Sequence, residues 1–121
     1  MLSDKVYEFQ KGIRPLFLCT VSREVAPLLM RRLERAGIAY HLEEISSVSP
    51  RVNLFFGKEL CIAIISEMVR GRSLTTLSPE EDFILGTLLG YDTCQQCERY
   101  QRRKQSASQN RSEERRVGKE C

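Results

Sequence analysis

Cys94 and Cys97 are the residues whose type and spacing point most directly to chemistry. Thiolates three residues apart at a helix start can bind zinc or iron, and a helix N-terminus lowers a thiol pKa. A metal site needs four ligands, and the sequence has no second pair with this spacing. Two copies of the chain could supply four sulfurs, so zinc or iron at a dimeric site is one alternative. We expect ordinary reduced thiols here and no cofactor, and we place Cys19 and Cys61 in the core.

Other titratable residues give weaker indications of catalysis. His41 is the only histidine, and with no nucleophile at a recognisable spacing we expect it at the surface or in the core. Glu80, Glu81 and Asp82 offer paired carboxylates for acid–base or cation work. Their place in the first turn of a predicted helix, where the helix dipole favours acids, explains them without catalysis. The sequence has no P-loop, dinucleotide fingerprint, serine elbow or zinc-protease motif, so we expect no enzyme.

Residues 99–104 contain a basic cluster. It consists of Arg99, Arg102, Arg103 and Lys104, with Tyr100 among them. Such a cluster can bind phosphate or nucleic acid, or dock an acidic protein. A net charge of +3 is too slight to indicate nucleic acid. A solvated helix end accounts for most of the cluster. Its functional interpretation is that Arg99, Tyr100, Arg102 and Arg103 bind an acidic partner.

Three strands are predicted among the elements that must position these residues. The continuous apolar run at 16–21 is typical of a strand buried on both faces. Residues 38–45 alternate between apolar and polar and predict a second strand, and 51–56 predict a third. The short loop between the second and third makes them antiparallel neighbours.

Helices fill the rest. The first dozen residues predict a helix, and Ser22 is predicted to cap another that ends at Gly37. A third is predicted over residues 58–69, with one apolar face formed by Leu60, Cys61, Ile64, Ile65 and Met68.

The segment 77–92 carries the clearest local signal. Ser78 is an N-cap, Pro79 suits the first helical position, and the helix runs toward Gly90 before a final helix over 92–103. Glycines inside an apolar helix cost stability unless they allow close packing. We therefore predict helix packing or a dimer contact at Phe83, Gly86, Gly90 and Tyr91.

These elements predict an α/β (α+β) fold. A β-α-β-β-α core of ferredoxin-like character forms a three-stranded mixed sheet with helices on one face, followed by two or more short helices. Three strands leave two edges and a thin core, so we expect a homodimer. Residues 1–104 form the single domain and 105–110 a polar tail.

The last eleven residues, 111–121, match a translation of the start of a common sequencing adapter. We interpret them as an artefact and expect them to be disordered. Apolar stretches are too short to span a membrane and no signal peptide is recognisable, so we expect a cytoplasmic protein.

The stretches VNLFFG at 52–57, LSPEEDFILGTLLGYD at 77–92 and QCERY at 96–100 resemble a bacterial domain-of-unknown-function family of short proteins, about 120 residues long. The resemblance spans most of 5–103. It implies a few strands with several helices, a homodimer, and a link to flavodoxin and iron-handling genes.

The leading hypothesis is a non-enzymatic dimeric adaptor or regulatory protein that acts by protein contact, with an acidic protein such as flavodoxin as its partner. One alternative is a metal or redox protein that uses Cys94 and Cys97. Another is a small-molecule sensor with its ligand at a dimer interface.

Overall fold

The computed structural model describes the backbone of residues 2–118 and the side chains of residues 4–107. Within these residues the elements follow the predicted β-α-β-β-α order, preceded by one helix and followed by others, which confirms the α+β class. In chain order they are α1 (Leu2–Gln10), β1 (Leu16–Ser22), α2 (Ala26–Ala36), β2 (Ala39–Glu44), β3 (Arg51–Gly57), α3 (Glu59–Val69), a 3₁₀ turn (Leu74–Thr76), α4 (Pro79–Leu88) and α5 (Thr93–Gly118).

The three strands form one antiparallel sheet in the order β1-β3-β2. Phe55 in the central strand β3 is opposite Leu18 of β1 and His41 of β2. Because β3 lies between β1 and β2, those two strands run in the same direction without touching. The sheet is therefore antiparallel throughout, and the expected mixed sheet is corrected. The split β-α-β arrangement does match the ferredoxin-like strand order.

Helices cover both faces of the sheet, and the expectation of helices on one face was wrong. On the first face, α1 and α2 bury Phe17 and Phe56, whose rings stack 5.2 Å apart. On the second, α3 and α4 bury Leu16 and Phe55. Neighbouring strand residues point to opposite faces, so a strand that is apolar at every position needs cover on both.

Two helix details differ from the sequence prediction. Helix α2 begins only after Val25, and the Ser22 hydroxyl accepts a hydrogen bond from Val25 N in the turn before it. Its predicted end is confirmed, since Gly37 has a positive φ of 70°. In α3 the predicted apolar face is displaced. The helix buries Ile62, Ile65 and Val69, while Leu60 and Ile64 are exposed.

The start of α4 agrees with the prediction. The Ser78 hydroxyl accepts from Glu81 N, the Glu81 carboxylate accepts from Ser78 N, and Pro79 is the first residue. Helix α5 continues to Gly118, through the predicted polar tail and into the segment 111–121 that we expected to be disordered. That segment is rich in straight-chain residues that favour a helix, which accounts for its helical backbone. The side chains of 111–121 and the last three residues lie outside the described part.

None of the helices within residues 2–118 is both long and apolar enough to cross a membrane.

Candidate functional site: a cleft between helices α4 and α5 and strand β1

A cleft of about 640 Å³ opens where α4, α5 and the 3₁₀ turn meet the edge strand β1. Leucine side chains form most of its apolar wall, and a carboxylate, an amide and two guanidinium groups reach it from the helices. The lining residues are Leu18, Leu74, Thr75, Leu77, Asp82, Leu85, Gly86, Leu89, Tyr91, Gln96, Arg99 and Arg103. A mostly apolar concavity with a few converging polar groups is the usual form of a small-molecule site.

Gln96 is the most unusual residue of this cleft. Its side chain is only 5% exposed, and Nε2 is buried without a hydrogen-bond partner among the described residues. The amide packs on α4 at Gly86, where a methyl group would overlap it. A buried amide nitrogen without a partner costs free energy.

Asp82 joins both cleft arginines to α4. Its carboxylate accepts from Arg99 Nε at 2.6 Å and Nη2 at 3.2 Å, and Arg103 Nη1 lies 3.4 Å away. Because Arg99 bonds to its charged form, the pKa of Asp82 is held below its ordinary value. The same pairing raises the pKa of Arg99. The acidic first turn of α4 therefore holds α5 through ion pairs. We call these contacts of Asp82 with Arg99 and Arg103 the clamp.

Two further contacts extend this clamp. Glu80 accepts from Lys104 Nζ at 2.5 Å and from the Tyr100 hydroxyl at 3.1 Å, and Lys104 lowers the pKa of Glu80. Arg72 donates to both oxygens of Glu81 at 2.9 Å, which lowers the pKa of Glu81 to about 2. The three acids thus form ion pairs within the chain, in addition to the favourable interaction with the helix dipole by which the sequence analysis explained their position.

The predicted partner-binding residues fall into two groups. Arg99, Tyr100 and Arg103 contact α4 or the loop before it, and Arg103 Nη2 also donates to Leu77 O at 2.8 Å. Arg102 is exposed and borders a separate depression with Pro79 and Arg103. Intramolecular pairing thus engages most of the basic cluster.

Cys94 and Cys97 are free thiols, both exposed, one turn apart on α5. Cys97 borders a shallow apolar depression with Phe83, Ile84 and Tyr100. Within the described residues, no group of three or more His, Cys, Asp or Glu side chains is arranged to hold a metal ion. Of the two remaining described cysteines, Cys19 is buried and Cys61 is partly buried.

The residues predicted for helix packing or a dimer contact have separate roles within the chain. Phe83 contacts Tyr100 edge to face at 5.5 Å, and Gly86 admits the Gln96 amide. Gly90 lies after α4, not inside it, with a positive φ of 82°. Tyr91 is exposed at the cleft. Helix packing at Phe83 and Gly86 is therefore intramolecular, and the dimer contact stays a prediction.

His41 does have an acidic neighbour, which we missed. Its Nε2 lies 2.8 Å from Glu43 Oε1, and Glu43 Oε2 accepts from Gly71 N just after α3. Residues two apart on a strand share a face, so the period of β2 could have revealed the pair. The contact ties α3 to the sheet.

Gln96 was also missed, because a lone glutamine belongs to no catalytic or metal-binding motif. Its spacing to Arg99 and Arg103, three and seven residues along a helix, places all three on one stripe. The shared stripe, together with a glycine at position 86 that leaves room for a side chain, is the sequence signal that could have identified Gln96.

Comparison with known proteins gives a family without an assigned activity. The family model described as "Protein of unknown function (DUF2023)" matches residues 1–103, which contain every described residue of the cleft. No curated protein gives a significant match. The predicted resemblance to a family of unknown function is thereby confirmed, and the chain belongs to the DUF2023 family.

Proposed function

We propose that this DUF2023 protein is a non-enzymatic regulatory protein that works as a homodimer, through binding rather than through catalysis. The exposed apolar side of α3 is the observation that carries the proposal. Leu60 is 80% exposed and Ile64 is 52% exposed, although α3 is one of the most apolar helices of the chain. Helices that are apolar on all sides are usually buried on all sides.

The spacing of the exposed residues favours another helix as the cover. Leu60, Ala63 and Ile64 lie three and four residues apart, so they form one stripe on the side of α3 opposite the core. Ala63 at the centre of this stripe allows close approach of a second helix. The stripe is short, and exposed Glu67, three residues after Ile64, borders it at the C-terminal end of the helix.

Charges at the ends of α3 favour a second copy of the same chain. Glu59 and Arg70 are exposed and lie on the same flank of the stripe, at opposite ends of the helix. When two α3 helices pair antiparallel about a two-fold axis, Glu59 of each copy comes beside Arg70 of the other. Two opposite-charge pairs then border the apolar contact, which sets its orientation.

In this proposal, fewer residues of the basic cluster are available to bind an acidic partner than the sequence suggested. Arg99 and Arg103 are engaged with Asp82, so an acidic partner such as flavodoxin would find chiefly Arg102. Arg102→Glu should therefore weaken a salt-sensitive contact with such a partner and leave the fold intact. Arg99→Glu would instead disturb the α4–α5 pairing, so it cannot serve as a clean test.

Light scattering coupled to gel filtration tests the dimer. We expect the full chain to elute at twice its 14.0 kDa mass, and the double variant Leu60→Asp/Ile64→Asp at its monomer mass with an unchanged circular dichroism spectrum. Val48→Asp is the matched control, since Val48 is 88% exposed in the loop between β2 and β3, and it should remain dimeric. A monomeric wild type, or a dimer that survives the double substitution, would overturn the proposal.

A further inference from the structure

The charge balance of the cleft is positive. Arg99 and Arg103 bring two guanidinium groups to it, and Asp82 brings one carboxylate. Asp82 accepts two N–H groups of Arg99 and lies near one of Arg103, whereas each guanidinium carries five. Arg103 Nη2 also donates to Leu77 O. Together the three charged side chains keep one net positive charge and N–H donors that these contacts do not use.

Gln96 adds a donor that the protein itself does not use. Its Nε2 is buried and unpartnered among the described residues, on a side chain that lines the same cleft. The terminal torsion of glutamine is soft, so the amide can turn toward an oxygen that enters the cleft. An acceptor placed there would remove the cost of the unsatisfied group.

Apart from Thr75 and Tyr91, the rest of the lining is apolar. Leu18, Leu77, Leu85 and Leu89 come from β1, the loop before α4, and α4 itself. A volume of about 640 Å³ is in the usual range for small-molecule sites. Such a wall fits an alkyl or aromatic body, not a highly hydrated ion.

We propose that the cleft binds a small amphipathic monocarboxylate, with its carboxylate between Arg103 and the Gln96 amide and its apolar body along the leucines. The site lies within a single chain, so it does not depend on the proposed dimer. Its ligand class follows from three matched features: net positive charge, an unused amide donor, and an apolar wall.

Isothermal titration of the full chain with decanoate, kept below its micelle concentration, tests this inference. We expect saturable binding with one decanoate per chain, and no saturable binding of acetate, which lacks the apolar body. Decyltrimethylammonium, which has the same alkyl length and the opposite charge, should bind at least about tenfold more weakly.

Matched variants on α5 locate the site. Gln96→Leu and Arg103→Gln should each weaken decanoate binding about tenfold or more, because each removes a donor to the carboxylate. The same substitutions at exposed neighbours, Gln95→Leu and Arg102→Gln, should leave it unchanged. Thermal unfolding of each variant shows whether it is folded at the titration temperature. If Arg103→Gln is not, Gln96→Leu decides alone.

Three outcomes would overturn the inference: no saturable decanoate binding, equal binding of the cationic probe, or equal affinity of Gln96→Leu and Gln95→Leu. None of these depends on oligomeric state. A monomeric protein that binds decanoate at Gln96 would therefore refute the proposed dimer and still support the proposed binding site.

Discussion

The sheet with its flanking helices α1 to α4 and the contact between α4 and α5 are held together by different forces. In the first region, the stacked rings of Phe17 and Phe56 belong to a continuous apolar core. In the second, the acidic first turn of α4 holds α5 through ion pairs, and a cleft remains between the two helices. Apolar packing fills space, whereas charged groups at the surface can hold two helices together and leave room between them.

The largest expected effect is in the sheet region. Phe56→Ala removes one ring of the Phe17–Phe56 stack from a fully buried position and should lower the free energy of unfolding by about 3–5 kcal/mol. Urea unfolding at neutral pH measures the loss. The control Val48→Ala, in an exposed loop, should change stability by less than about 0.5 kcal/mol. A loss for Phe56→Ala as small as that of the control would refute an apolar basis for this region.

The next effect concerns the clamp itself. Asp82→Asn keeps the shape of the side chain and removes the charge that Arg99 and Arg103 share, so we expect a loss of about 1–3 kcal/mol. Asp82 is the most buried of the three acids, with 17% of its side chain exposed. Glu80→Gln, at a more exposed pair, should cost less than Asp82→Asn. Equal losses in urea unfolding would show that burial of Asp82 is immaterial.

A smaller effect is expected at the start of α4. Ser78→Ala removes the hydroxyl that accepts from Glu81 N and should cost about 1 kcal/mol. Ser47→Ala, in an exposed loop, serves as the control in thermal unfolding. If both variants melted with the wild type, the capping box would not contribute to the stability of this helix.

The smallest effect is measured through its pH dependence. Folding lowers the pKa of Glu81 from 4.5 to about 2, so this group stabilises the fold fully above pH 4.5. The contribution is lost as the pH falls through that window toward 2. Since Glu81→Gln lacks the titrating group, the stability difference between wild type and variant should shrink over the same range. A difference independent of pH would contradict the Arg72–Glu81 pairing as its cause.

Local sequence patterns predicted the helices and strands well, but they predicted poorly which side chains contact each other across the fold. Ser78 with Pro79, and the glycine at position 37, determine helix ends through their own backbone and side chains, so spacing alone revealed them. Asp82 and Arg99 are seventeen residues apart, and nothing in their types says which acid an arginine will meet. The basic cluster was therefore interpreted as a free surface.

Which residues are buried was also difficult to predict from local sequence patterns. The residues of α3 are apolar on several sides, so periodicity could not distinguish the core side with Ile65 from the exposed side with Leu60. Gln96 had no motif at all, and only the approach of α5 to Gly86 gives it significance. Long-range placement, which a single sequence does not encode in any motif, made the difference in both cases.

Native-state hydrogen exchange at about 0.05 M and about 1 M salt tests most directly whether charges hold one region and apolar packing the other. Salt screens ion pairs and does not weaken apolar burial. We predict that amides of α5 at 96–100 exchange faster in high salt, relative to unstructured peptides, while amides of β3 do not. An equal response of these α5 amides and of β3 would contradict the two-region account.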